Sequence, residues 1–170
     1  MDSDISKKPH QLFSNSRPSR WITRERPKID RIACPWLVLR FIDPQAEFVY
    51  VPADRVLAEA ERKNAEPYDI PGVRFSHRGP RCSFDAFIED FELREDALDV
   101  VATIVRGADT GALSLAPEAA GLLAVSLGVP QQFPDDQEML RAGLVIYDAL
   151  YAWARNARTE RHGWPPAMPL

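Results

Sequence analysis

Apolar residues recur along this chain with two different spacings, and the spacing sorts it into elements. At 3.6-residue periodicity, Val56, Leu57 and Ala60 predict a helix over 53–63 with Asn64 as its C-terminal stop. Leu98, Val101, Ile104 and Val105 predict another over 96–106, ended by Gly107. Pro117 and Glu118 suit the first turn of a helix to Leu127, stopped by Gly128. Asp135, with Glu138 three residues on, opens the longest helix. It carries Leu140, Leu144, Tyr147, Leu150, Tyr151 and Ala154 on one face to about Asn156. Short runs rich in β-branched and aromatic residues, 47–51 and 73–77, read as two strands that could pair. The loop between them is marked by Pro67, Pro71 and Gly72.

Two further helix starts are chemically dense. Pro35 is suited to a first helical position, so a helix over 35–41 would leave Cys34 as its N-cap. A thiol there would feel the positive helix end and its pKa would fall. Alternatively the helix runs from Asp30 and is kinked at Pro35. It then loses a backbone bond near Arg31 and sets Asp30 and Cys34 on one face at i,i+4. The plainer reading of Cys34 is a buried thiol packed beside Trp36. The second dense stretch is 77–85, where Gly79-Pro80 forces a turn and Ser83 is a natural N-cap for a helix to about 91. It gathers His77, Arg78, Arg81 and Cys82, against a plainer reading as solvated arginines with a packed cysteine.

The fold expected is α+β, predominantly helical, with about six helices around a small two-stranded sheet. Residues 1–20 read as a mobile tail containing a solvated His10, 21–158 as a single domain, and 159–170 as an irregular arm with His162 on its surface.

Composition narrows the function. A chain of 170 residues, 45% hydrophobic and 27% charged, is ordinary for one soluble domain. Its net charge of −4 argues against a general nucleic-acid or membrane-surface role. No apolar run reaches the roughly 18 residues of a membrane span, and no export signal opens the chain. The two cysteines therefore read as reduced thiols in a cytoplasmic protein. Phosphate-loop, dinucleotide, serine-hydrolase and zinc-protease motifs are all missing, so no nucleotide cofactor is expected.

The remaining chemistry is a mixed site. Cys34, His77 and Cys82 are ligand types for Zn or Fe, with a fourth ligand from Asp30, Asp85, Asp109 or Asp136. The metal set favoured is Asp30, Cys34, His77 and Cys82. Arg31, Arg78, Arg81 and Arg106 could instead capture a tetrahedral oxyanion.

Five blocks in order, Lys28 to Leu37, Arg40 to Asp43, His77 to Asp85, Ile104 to Asp109 and Tyr147 to Trp153, resemble the C-terminal domain of the chromate-resistance ChrB family. The resemblance covers about 21–155. It implies a role in bacterial chromate resistance, where longer members act as chromate-responsive regulators of an export system. This sequence lacks their extra N-terminal domain, so direct DNA binding is not expected of it alone. The function expected is a sensing or accessory domain that binds a metal ion or a chromate-like oxyanion. A thiol- or metal-dependent redox enzyme is the alternative, and a module that only binds a partner protein is a third. Neither oligomeric state nor the identity of the ion can be read from the sequence.

Overall fold

The structure is a computed structural model that describes residues 18–163. His10 and most of the expected tail, with the end of the expected arm, lie outside the described residues.

Among the described residues, six helices pack around one small parallel sheet. In chain order the elements are β1 (Arg20–Arg24), α1 (Asp30–Phe41), β2 (Glu47–Val51), α2 (Val56–Lys63), β3 (Glu66–Pro67), α3 (Ser83–Asp90), α4 (Asp96–Thr110), α5 (Ala119–Gln132) and α6 (Asp136–Asn156). A single helical turn, Ala53–Arg55, leads into α2. The sheet order is β2-β1-β3, with Trp21 opposite Phe48 on one side and Glu66 on the other.

The sheet thus has three strands where two were expected, and only one of those two is in it. β1 was missed because Trp21, Ile22 and Thr23 are all buried. A strand covered on both faces shows no polar–apolar alternation. Trp21 faces the main core, whereas Ile22 faces a second cluster with Val56, Ala60, Ala65 and Ile70 beneath α2. Residues 73–77 form no strand, because Phe75 makes only an isolated bridge to Tyr68. β3 is an edge strand, where Pro67 needs no N–H.

α1 begins at Asp30 and keeps Pro35 in its interior, so Cys34 lies within the helix and is not its cap. Pro35 has no N–H for the Arg31 carbonyl four residues back. Two hydroxyls take over: Tyr50 donates to Arg31 O at 2.9 Å and Tyr68 at 3.2 Å. The aromatic belt of the core (Trp21, Tyr68, Phe75, Phe87) thereby also completes a broken helix.

Two helices outrun their expected ends. α4 passes through Gly107 to Thr110 and stops at Gly111, whose φ of 74° only glycine adopts easily. Gly107 serves packing instead: a Cβ there would come within 2.9 Å of the Ala119 Cβ on α5. α5 continues through Gly128 and Pro130. Arg26 closes its far end, donating to the carbonyls of Pro130 at 2.7 Å, Phe133 at 3.1 Å and Pro134 at 2.7 Å. α2 and α6 begin and end close to the expected residues. Asn64 adopts the left-handed C-cap, and Asp135 accepts from the Glu138 amide at 2.9 Å.

Candidate functional site: a buried carboxylate cluster around His77

Three aspartates from three segments converge on one imidazole. Asp30 opens α1, Asp69 lies in the loop after β3, and Asp109 sits on the last turn of α4. His77 Nε2 is 2.9 Å from Asp109 Oδ2, 3.6 Å from Asp30 Oδ2 and 3.6 Å from Asp69 Oδ1. Ligand atoms of Asp30, Asp69 and His77 all lie within 4.8 Å of one another. Asp30 is fully buried, while the His77 side chain is 43% exposed, so the cluster opens to solvent on the imidazole side.

The N-terminus of α3 holds two of the aspartates. The Ser83 amide donates to Asp30 Oδ2 at 2.7 Å, and the Ser83 hydroxyl donates to Asp69 Oδ1 at 2.7 Å. Free amides at a helix start favour negative charge nearby. The cap itself is Cys82, whose amide donates to Asp85 Oδ2 at 3.0 Å, so Ser83 is the first helical residue and not the N-cap expected. The Asp30 amide donates to Asp109 Oδ1 at 3.4 Å. Asp30 Oδ1 is buried without any hydrogen-bond partner. Such an atom is costly in a folded protein and calls for an explanation.

Electrostatics reinforce the point. Burial raises the Asp30 carboxyl well above the usual range, and the charges of Asp109 and Asp69 push it further. Burial and then Asp69 likewise raise Asp109, against partial relief from His77. The arginine ion pairs in the cluster go to Asp69: Arg24 Nη2 stands 3.2 Å and Arg31 Nε 3.6 Å from its Oδ2. The site therefore concentrates negative charge around Asp30 and Asp109, with the His77 imidazole as their close ion-pair partner.

The other expected site residues are placed differently. Cys34 and Cys82 are both free and fully buried. Burial first, then the charge of Asp30, raises both thiols, opposite to the lowering expected from a helix start. Desolvation and neighbouring carboxylates outweigh the helix dipole here. The arginines each face an acid. Arg106 makes a two-pronged contact to Asp85, 2.8 Å from Nε and 2.6 Å from Nη2. Arg78 meets Asp90 at 2.9 Å and Arg81 meets Glu89 at 3.1 Å. Arg31 donates to the carbonyls of Glu25 at 2.9 Å and Arg24 at 3.3 Å. Asp136, a fourth-ligand alternative, accepts from the Arg26 amide at 3.2 Å.

Sequence reasoning missed Asp69 altogether. It lies in an irregular loop with φ 50°, and no spacing relates it to Asp30 or His77. The available signal was an aspartate between two prolines, a residue type that tolerates left-handed backbone.

Residues 21–154, which contain every member of the cluster, match the family model described as ChrB, C-terminal domain. The chain belongs to this family. Protein ChrB of Cupriavidus metallidurans is 35% identical over 140 residues, covering 82% of this chain and 42% of that protein. The chain therefore spans less than half the length of that relative. No solved structure matches it. Among the described residues, no helix is long and apolar enough to cross a membrane.

Proposed function

We propose that this domain binds a divalent metal ion through Asp30, Asp69 and His77, with Asp109 as a fourth ligand, and that it has a chromate-resistance-associated role in sensing or as an accessory. The observation that carries the reading is the unpartnered, buried Asp30 Oδ1 in a cluster of three carboxylates and an imidazole. A cation would give that oxygen a partner and relieve the repulsion that raises Asp30 and Asp109. One imidazole with carboxylates suits Zn²⁺ or Fe²⁺, and the oxygen-rich set also admits Mn²⁺. Once bound, the ion would supply positive charge and a solvent-facing coordination position. His77 Nε2 can serve Asp109 or a cation but not both, so binding would exchange that hydrogen bond for a metal bond.

The expected cysteine ligands contribute less to this reading, because neither thiol belongs to the convergent set and burial opposes thiolate formation. The same burial gives a thiol redox enzyme no support. An oxyanion at Arg78, Arg81 or Arg106 would have to displace the carboxylate each already faces. Chelator-stripped protein titrated with Zn²⁺ in a calorimeter tests the proposal. One ion per chain is expected, lost in both His77→Ala and Asp69→Asn. Equal binding by the wild type and both variants would overturn it.

A further inference from the structure

Asp30 is presented by an unusual piece of backbone. Ile29, immediately before it, has φ 41° and ψ −102°. Positive φ is a genuine outlier for a β-branched residue, and such conformations persist only where the surroundings hold them. The Ile29 carbonyl is held from three sides: it accepts from the Ile32 amide at 3.0 Å, the Ala33 amide at 2.7 Å and the Tyr147 hydroxyl at 3.3 Å. The two amides belong to α1 itself. Tyr147 comes from α6, 118 positions away, and is buried. One turn earlier on α6, Gly143 lies so close to α1 that a Cβ would come within 2.3 Å of Ile32 Cγ2. The helix that carries Asp30 therefore rests on α6 at its first turn, with a glycine to allow the approach and a phenol to fix the strained carbonyl.

We propose that Tyr147 is a positioning residue for the metal site, acting through the Ile29 carbonyl to hold Asp30 in line with His77; the inference rests on the metal-site reading above. The left-handed turn at Ile29 aims the Asp30 amide at Asp109 and leaves its carboxylate facing Asp69 and His77. Without the phenol, the peptide ahead of Asp30 loses its hydrogen bond to α6 and is free to leave the strained conformation. The ligand geometry loosens while the fold persists. Partners one layer behind a metal ligand typically tune affinity in this way.

The test compares two hydroxyl deletions on the same helix. Tyr147→Phe keeps the ring in the core and removes the contact to Ile29. Tyr151→Phe, one turn later, removes a hydroxyl that donates to Glu95, far in sequence from the cluster. Zn²⁺ affinity of chelator-stripped protein is measured by calorimetry, and metal-free stability by urea unfolding. Tyr147→Phe should weaken Zn²⁺ binding by about fivefold or more, while Tyr151→Phe leaves it unchanged whatever it does to stability. Unchanged Zn²⁺ affinity in Tyr147→Phe would overturn the inference, even with a loss of stability. So would equal weakening by both variants, which would show that α6 docking in general is what matters. A wild type that takes up no Zn²⁺ would overturn the site itself and this inference with it, an outcome distinguishable from failure of the inference alone.

Discussion

Removing the two phenols that complete α1 should expose the cost of its buried proline. The Arg31 carbonyl has lost its helical donor to Pro35 and accepts from Tyr50 and Tyr68 instead. Tyr50→Phe or Tyr68→Phe alone leaves one donor in place, so each should cost about 0.5–1.5 kcal/mol, the net worth of one hydrogen bond. The double variant leaves a carbonyl with neither hydroxyl inside the core, and a further roughly 1–3 kcal/mol of unmet desolvation appears. The two substitutions should therefore be coupled by at least about 1 kcal/mol in a double-mutant cycle. Adding Pro35→Ala to the double variant restores an N–H at the right position and should recover much of the loss. Urea unfolding of the four proteins in the cycle, followed by intrinsic fluorescence, gives the free energies, and the triple variant gives the rescue. Strict additivity of the two singles, with no rescue by Pro35→Ala, would refute the reasoning.

Gly143→Ala should destabilise the protein by about 1–3 kcal/mol, since the new methyl overlaps Ile32 in a packed interface; thermal unfolding checks this. Arg106→Ala should cost roughly 3 kcal/mol or more at neutral pH, because it strands the buried Asp85 carboxylate. Burial alone would raise Asp85, but the Arg106 hydrogen bonds and charge hold it below the usual carboxylate range. Its contribution is thus present above the unfolded value and lost as pH falls through the folded one, so the penalty of Arg106→Ala should shrink toward pH 3 in acid-unfolding experiments. Asp30→Asn should stabilise the metal-free protein while abolishing metal uptake. Because the folded Asp30 carboxyl is raised, the wild type loses stability as pH climbs above the unfolded value near 3.9, and the advantage of the variant in urea unfolding should grow with pH.

The helices were legible where a cap and a periodic face agreed. Asn64 and Asp135 each mark a boundary that the backbone obeys. Glycine misled where packing claimed it. Reading Gly107 as a stop removed the last turn of α4, and with it the helical placement of Asp109. The sheet was misread because its central strand is buried on both faces, a pattern that offers no alternation to detect. Of the candidate site, the sequence draws attention to Asp30 through its i,i+4 spacing to Cys34 ahead of Pro35, and to His77 through the Gly79-Pro80 turn. The cysteines drew attention by residue type and helix position, but burial decides the state of a thiol, and burial is a property of the folded chain. Asp69 is brought in by tertiary structure alone: the Ser83 hydroxyl and Arg24 fix a loop residue that no local pattern singles out.

X-ray absorption at the zinc edge of the Zn²⁺-loaded protein separates the carboxylate–imidazole site from the cysteine-containing set most directly. Oxygen and nitrogen ligands scatter at about 2.0–2.2 Å, whereas thiolate sulfur scatters at about 2.3 Å. A single zinc per chain with an imidazole and an all-oxygen-and-nitrogen shell, disrupted in His77→Ala, is the result expected from Asp30, Asp69, His77 and Asp109. A sulfur shell that disappears in Cys82→Ser or Cys34→Ser would contradict it and place the metal on the buried thiols.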